Sequence, residues 1–270
     1  MLEFKSICIH NKRSMSVEPS QQNRSTTAST LSGTYYKWLA KIKNNANKEA
    51  VSAPHQHPLI SDASGKLLAG QVTVLTGASG SGKSVLLRVL AGLLPMDSGE
   101  VCLQSVDPLH NPSYHSIHDT VPTQWRTQVS LLAQRPQLLE GSVLDNLQMP
   151  YNLQAHQHRN FDMDWHITQL SSLGRSADFL QQEANYLSGG ERQLVNTLRL
   201  LQLSPQVLLL DEPTAALDSE VSTQLVHLLV NWARAETQRT LLWVTHDTQD
   251  VMPFADQHWS MQAGVLSKVF

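Results

Sequence analysis

Residues 77–84 combine glycines, hydroxyls and a lysine in one run, Gly77-Ala78-Ser79-Gly80-Ser81-Gly82-Lys83-Ser84. An apolar run precedes them at 72–75, and a helix-like apolar run follows at 85–90. Glycines let backbone N–H groups turn inward around an anion, and a helix start adds the positive end of its dipole. Lys83 suits the β- and γ-phosphates of a nucleotide, and the Ser84 hydroxyl suits Mg²⁺. The strand, turn and helix order therefore predicts a P-loop rather than an ordinary Gly/Ser turn.

Two acids end a second apolar run, at 207–210. Asp211 stands where a buried strand would emerge, the Walker B position, and is expected to hold Mg²⁺ directly or through water. Glu212 can orient and deprotonate a water for in-line attack on the γ-phosphate. The alternative is an acidic turn before Pro213, which is the weaker interpretation beside a P-loop.

A third motif supports two interpretations, and its residues are Leu187-Ser188-Gly189-Gly190-Glu191. Ser188 and Glu191 have the spacing of a capping box, which predicts a helix start. Two consecutive glycines at a helix N-terminus also expose N–H groups to an anion. We expect the motif both to start a helix and to bind an anion.

The bulk composition excludes several classes of protein. A 270-residue chain with 41% hydrophobic and 16% charged residues is typical of a globular protein with one large α/β domain or two small ones. Its net charge of −3 argues against a general nucleic-acid binder. Cys8 and Cys102 are the two cysteines, so a disulfide framework is not expected. We find neither an apolar run long enough to span a bilayer nor the apolar core of a secretory signal.

Residues 1–50 are expected to be a poorly ordered extension, because 16–34 are rich in Ser, Thr, Gln and Asn. The run 35–43 has a helical apolar stripe, Tyr35, Trp38, Leu39 and Ile42, with lysines between. It predicts either a short amphipathic helix that touches anionic lipid, or a loosely docked helix or edge strand; the second is favoured.

The compact domain is expected over 51–270. Strands are predicted at 72–75, 101–106, 129–133, 207–212 and 240–245, with a turn at 97–100 and a polar surface loop at 107–123. Residues 136–186 lack strand signals and predict a small helical subdomain. Strands and helices alternating around a P-loop indicate an α/β fold with a doubly wound, mainly parallel sheet and ligands at the carboxyl ends of its strands.

Taken together, the P-loop, residues 187–191 and the acids at 211–212 resemble the ATPase domain of ATP-binding cassette (ABC) transporters. The resemblance covers roughly 59–264. It implies an ABC-type P-loop NTPase fold with an antiparallel β edge, and hydrolysis of Mg-ATP. It also implies that residues 187–191 are the signature motif, a second phosphate site used in trans across a homodimer.

The resemblance also assigns the remaining site residues. Gln134 matches the Q-loop glutamine, which implies a contact to Mg²⁺ or to the attacking water, and His246 matches the switch histidine on the γ-phosphate. The catalytic residues would then be Glu212, His246 and Lys83. The residues expected to bind ATP are 77–84, Val85 and Gln134. The D-loop is matched by Ala215-Ala216-Leu217-Asp218, where Ala215 replaces a serine that the family often carries.

One family feature has no clear counterpart, the aromatic ring that stacks on adenine. Such a residue would fall near Ser52, where no aromatic side chain other than histidine occurs. His55 or His57 could supply a flat ring, or Tyr35 or Tyr36 could fold back. The sequence leaves these alternatives open.

A narrower likeness is to bacterial Fet-type (Ybb-type) iron-export ATPases, in the runs 129–136, 143–147 and 241–247. It implies a peripheral subunit on the cytoplasmic face of the inner membrane, bound to an integral membrane permease. Leu138 and Leu139 would then help to form a groove for a permease helix. A soluble ABC ATPase outside transport is the alternative, and a nucleic-acid partner is not expected.

The 12 histidines raise the question of a transition-metal site. His110, His115 and His118 form one group, and His156 and His158 a second. Their spacing lacks a pattern of supporting carboxylates, so we favour ordinary loop histidines.

Overall fold

The computed structural model describes residues 1–10, 58–105, 113–135 and 137–270, which form two β-sheets flanked by helices. In chain order the strands are β1 Leu2–Ile9, β2 Ile60–Leu67, β3 Val72–Thr76, β4 Ser98–Ser105, β5 Ser113–Ser116, β6 Val129–Leu132, β7 Val207–Asp211, β8 Thr240–Val244, β9 Gln257–Gln262 and β10 Val265–Lys268. The α-helices are α1 Lys83–Leu90, α2 Pro122–Gln128, α3 Val143–Gln148, α4 Met163–Ser172, α5 Gly189–Leu201 and α6 Ser219–Ala235.

The larger sheet has six strands in the order β10-β9-β3-β8-β7-β6. All neighbouring pairs are parallel except β9 and β10, which form an antiparallel edge hairpin. Strands β7 and β8 are buried at every residue, which is why their sequences are continuous apolar runs without alternation. Parallel pairing brings the carboxyl ends of β3, β8, β7 and β6 to the same edge, in that order. The predicted doubly wound α/β architecture is confirmed in this sheet.

The second sheet is antiparallel, in the order β2-β1-β4-β5. Its strand β1 corrects our expectation of a poorly ordered stretch at the very start of the chain. Leu2, Phe4, Ile7 and Ile9 are buried, and β1 pairs with strands on both sides. The apolar alternation breaks between Phe4 and Ile7, because a bulge there puts Ser6 at φ 49° and shifts the register. That break concealed the strand from a pattern with period two.

Two further expectations are corrected near this sheet. The predicted turn at 97–100 lies largely within β4, where Gly99 adopts φ 112° against the β1 backbone. The predicted surface loop at 107–123 contains the short edge strand β5 and the start of α2, and its residues 107–112 lie outside the described part. The strand β5 was missed because all its residues are polar or aromatic and none is buried.

The segment expected to be helical, 136–186, carries α3, α4 and 3₁₀ turns at Met149–Asn152, Ala177–Gln181 and Ala184–Tyr186. A reciprocal capping box of Ser142 and Asp145 starts α3. The apolar residues of segment 136–186 pack with those of α5, α6 and the main sheet in one hydrophobic core cluster. The apolar residues of α1 and of the antiparallel sheet belong to a second core cluster. Among the described residues, no helix is long and apolar enough to cross a membrane.

Candidate active site

The P-loop follows β3 directly, and close backbone approaches require glycine at two of its positions. Gly77 has φ 147°, and a Cβ there would lie 2.1 Å from the carbonyl oxygen of Met261 on β9. Gly82 has φ 107°, and its Cβ would lie 2.7 Å from the carbonyl oxygen of Leu59. Neither position accepts a side chain, so the tight turn predicted at 77–84 is built against β9 and the start of β2.

Lys83 opens α1 and is 5% exposed. Its Nζ donates hydrogen bonds to the carbonyl oxygens of Gly77 at 2.7 Å and Ala78 at 2.9 Å, across the mouth of the loop. Burial lowers the pKa of the Lys83 ammonium, and the attraction of Glu212 and Asp211 opposes that change. The charge therefore lies inside the loop, where phosphate oxygens can replace the two carbonyl acceptors. Val85 packs on the core instead, so its part in ATP binding stays a prediction.

Ser84 lies in the first turn of α1 and Asp211 at the end of β7, and their side chains meet at the sheet edge. The Ser84 hydroxyl donates to Asp211 Oδ1 at 3.1 Å, and Asp211 is buried. A hydroxyl and a carboxylate oxygen this close are the hard oxygen ligands that Mg²⁺ takes beside phosphates. The pair therefore fits the predicted magnesium site, in keeping with the roles expected for both residues.

Glu212 is held by two of the residues that the sequence selected. Its Oε2 accepts a hydrogen bond from Gln134 Nε2 at 2.7 Å, and its Oε1 pairs with His246 Nε2. Glu212 adopts φ 52°, an uncommon value for a non-glycine residue, and its N–H donates to the carbonyl of Val244 on β8. Strands β6, β7 and β8 thus bring Gln134, Glu212 and His246 together at one point. Gln134 contacts the carboxylate through its amide nitrogen, so its contact to Mg²⁺ stays a prediction.

The signature motif starts α5 through a reciprocal capping box. Ser188 Oγ accepts the Glu191 N–H at 3.2 Å, and Glu191 Oε2 accepts both the N–H and the hydroxyl of Ser188, at 2.9 and 2.8 Å. These bonds lower the pKa of Glu191, as does the nearby Arg175 guanidinium. The helix start expected from the S-x-x-E spacing is confirmed.

The D-loop packs on the signature glycines. A Cβ on Gly190 would lie 2.9 Å from Leu217 Cδ2 and 3.0 Å from the Ala216 carbonyl oxygen. Asp218 accepts the Val221 N–H and caps α6, and the Ala215 N–H donates to the Glu212 carbonyl at 3.3 Å. The D-loop therefore joins the residue after Walker B to the signature within one chain.

Alanine substitutions at the two signature glycines are expected to differ. At Gly189 a Cβ would meet only Ala216 Cβ at 3.8 Å, an ordinary contact, whereas Gly190→Ala must displace the D-loop. We expect Gly190→Ala to lower Tm by several degrees, at a cost of about 1–3 kcal/mol, and Gly189→Ala to leave Tm unchanged. Thermal unfolding of the purified variants measures this. Equal Tm values for the two variants would contradict the packing described above.

Comparison with known proteins decides the family. A family model described as ABC transporter matches residues 60–215, more than half of the chain. The chain belongs to this family. It is 34% identical over 185 residues, 68% of this chain and 76% of the relative, to the "Probable iron export ATP-binding protein FetA" of Escherichia coli (strain K12). It is also 33% identical over 204 residues to the "Sulfate/thiosulfate import ATP-binding protein CysA" of Synechococcus elongatus, covering 74% of this chain and 54% of that relative.

Solved structures agree on the fold. The chain is similar to the ATP-binding cassette MJ0796 in a dimeric post-hydrolysis state bound to ADP and Pi, with a TM-score of 0.71 at 19% identity, covering 100% of this chain and 99% of that one. A second dimeric structure of MJ0796 gives a TM-score of 0.69 at 21% identity. The predicted ABC cassette fold is confirmed, and membership of the family makes the chain an ATPase that binds ATP.

Some expected site residues cannot be placed, and others were not foreseen. The adenine-stacking candidates Tyr35, Tyr36, His55 and His57 lie outside the described residues, as do the amphipathic stripe at 35–43 and His110. Among the described residues, no group of three His, Cys, Asp or Glu could hold a metal ion. His156 is buried rather than in an open loop, and burial lowers its pKa.

Two further residues lie beside the site and were not among those expected from the sequence. His258 Nε2 lies 2.9 Å from Thr76 Oγ1, one residue before the P-loop, and Arg175 lies beside Glu191. Neither has a local motif. The one available signal for Arg175 was its place directly after Gly174, a glycine at a helix end.

Proposed function

We propose that this chain is the ATP-hydrolysing motor subunit of a membrane transporter, that it works as a homodimer with Mg-ATP between two cassettes, and that it drives a separate integral membrane permease. One observation supports the proposed dimer: the two phosphate-binding motifs of the chain do not form a single site. Within the described part of the chain, the signature contacts the D-loop, Ala184, Arg192 and Arg175, and none of its hydrogen bonds reaches the P-loop. A second copy would supply the missing half.

The proposed chemistry follows from the residues at the sheet edge. Lys83 and the P-loop N–H groups bind the phosphates, and Ser84 with Asp211 would hold Mg²⁺, which would supply positive charge to offset that of the phosphates. Glu212 accepts the proton of the attacking water, Gln134 and His246 orient the carboxylate, and His246 reaches the γ-phosphate. The partner's signature closes the site and excludes water.

A permease needs a surface on which to dock, and a cleft of ≈ 680 Å³ between α2 and the helical segment suits this purpose. Its lining includes Val121, Arg126 and Leu153, of which Val121 and Leu153 are more than half exposed. Leu139, one of the two leucines expected in such a groove, is similarly exposed, whereas Leu138 packs on the core. A cleft in which Val121 and Leu153 are exposed among Thr, Gln, Arg and His side chains fits a short amphipathic helix of a membrane protein. Docking of this kind would hold the subunit, as we propose, on the cytoplasmic face of the inner membrane.

Iron export is the proposed transport reaction, because the match to the FetA protein covers 76% of that relative, whereas the match to CysA covers 54%. Similarity to an import protein such as CysA keeps the opposite direction as the second candidate. A soluble ABC ATPase that takes no part in transport is the alternative function. The permease, rather than this chain, would determine both substrate and direction.

Co-purification from membranes tests the proposal. A tagged full-length chain, expressed with the genes that neighbour its own, should recover a multi-span membrane protein, and the complex should hydrolyse ATP. Leu153→Asp should abolish this recovery while leaving ATP binding unchanged, because a charge in the cleft opposes apolar docking. Exposed Val265→Asp, on the edge strand β10, is the matched control and should retain the partner. Recovery of ribosomes or DNA instead would favour the soluble alternative.

A further inference from the structure

The backbone of Arg175 is held in place by the C-terminal cap of α4. Helix α4 ends at its C-cap Leu173, and Gly174 follows with φ 68°. The Arg175 N–H donates to the Leu170 carbonyl at 2.9 Å, and the Gly174 N–H donates to the Ser171 carbonyl at 3.1 Å. These are the two bonds of a Schellman motif, which fixes the backbone from which the side chain extends.

The Arg175 side chain is directed at the signature motif. Its Nη1 lies 3.6 Å from Glu191 Oε1, and its guanidinium lies over the Phe179 ring, 5.8 Å from the centroid. Its Nε is buried and has no hydrogen-bond partner among the described residues. The arginine is therefore half-buried, held by packing on Phe179, and aimed at a carboxylate that belongs to the phosphate-binding motif.

Glu191 in turn holds the hydroxyl proton of Ser188. A serine has one O–H donor, and here it points to Glu191 Oε2 at 2.8 Å. For Ser188 to donate to a phosphate oxygen, its hydroxyl must turn away from Glu191. A carboxylate that stays beside the incoming phosphate then repels it. A glutamine would complete the same capping box without this charge, so the glutamate creates a need for a compensating cation.

We propose that Arg175 is a positioning residue: it compensates the Glu191 carboxylate, so that the Ser188 hydroxyl can be released from the capping box to bind the triphosphate held by a partner cassette. Oε1 of Glu191 faces the arginine while Oε2 keeps the Ser188 N–H. The motif then stays folded when the hydroxyl turns. This inference rests on the proposed dimeric site.

A double-mutant cycle on steady-state ATP hydrolysis tests the proposal. Arg175→Met keeps the apolar stem on Phe179 but removes the charge. It is expected to raise KM for ATP by about three- to fivefold with kcat changed less than about twofold, a size typical of a half-exposed ion pair. Arg175→Lys should restore most of the loss. In a Glu191→Gln background, the same Arg175→Met change should have no effect on KM, because no carboxylate remains to compensate.

Two measurements separate this role from a purely structural one. Arg239→Met removes another half-buried arginine that stacks on a ring, that of Trp232, and pairs with Glu236, but at the amino end of β8. It should lower Tm without changing KM. Binding of a fluorescent ATP analogue to the dilute monomer should be the same for Arg175→Met and wild type, since the P-loop is intact.

Failure of the proposed function and failure of the role assigned to Arg175 would give different results. A wild-type protein without ATP hydrolysis would overturn the proposed function itself. An active wild type in which Arg175→Met leaves KM unchanged, or raises it equally in the Glu191→Gln background, would overturn only the role of Arg175. Glu191→Gln alone provides a second route if Arg175→Met does not fold: its KM should fall below that of the wild type, because the carboxylate that repels the phosphate is gone, and an unchanged or increased KM contradicts the proposal.

Discussion

Glu212→Gln is expected to abolish ATP hydrolysis while ATP binding remains. The glutamate is the one carboxylate whose two oxygens are held by Gln134 and His246. A glutamine keeps its size and one acceptor oxygen, but it cannot take a proton from water. We expect phosphate release at saturating ATP to fall by roughly 10²–10⁴-fold, the usual contribution of a general base. The same variant should accumulate as an ATP-bound dimer in size-exclusion chromatography.

The matched control is Glu236→Gln, which removes a carboxylate that pairs with Arg239 at the amino end of β8, away from the site. Its rate should equal that of the wild type. If Glu212→Gln retained more than about a tenth of wild-type activity, Glu212 would not be the base.

Lys83→Ala is expected to remove nucleotide binding rather than turnover alone. The ammonium is buried and bridges the carbonyls of Gly77 and Ala78, so its loss removes both a charge for the phosphates and two hydrogen bonds that shape the loop. A charge-assisted contact of this kind corresponds to roughly 10–100-fold in affinity. Isothermal titration with Mg-ATP measures the change in Kd.

A lysine outside the site provides the comparison. Lys66 on β2 is exposed and pairs with Glu3, and Lys66→Ala should bind ATP with wild-type affinity. Equal affinities for the two alanine variants would show that the loop binds phosphate through its N–H groups alone. The role assigned to Lys83 would then be wrong.

The residues that we propose to bind the phosphates were predictable because chemistry restricts their types and their positions. Strand β3 must end at a glycine that tolerates the Met261 carbonyl, and β7 must end in acids. Parallel pairing then brings Gln134 and His246 to the same edge of the sheet, independently of the conformation of the loops that connect the strands. Strand ends and short motifs therefore determined most of the candidate site from sequence alone.

What escaped prediction depends on contacts between distant parts of the chain. Strand β1 is interrupted by the bulge at Ser6, whose N–H is satisfied by the Ser64 hydroxyl, 58 positions away. Strand β5 has no apolar face and forms by pairing with β4. Arg175 acquires a role only when α4 ends beside α5. None of these has a periodic signal within its own segment.

The bond between strands β1 and β2 has a consequence for how this fold can vary in length. The Leu59 N–H donates to the Ile9 carbonyl at 2.7 Å, so these two residues lie side by side next to Gly82. In the sequence, residues 11–57 connect the two described segments. Closure entropy grows only with the logarithm of length, so a free connection of this size would cost about 2 kcal/mol more than a four-residue turn. Evolution can therefore lengthen or shorten the chain at this point, beside the nucleotide site, at little thermodynamic cost to the fold.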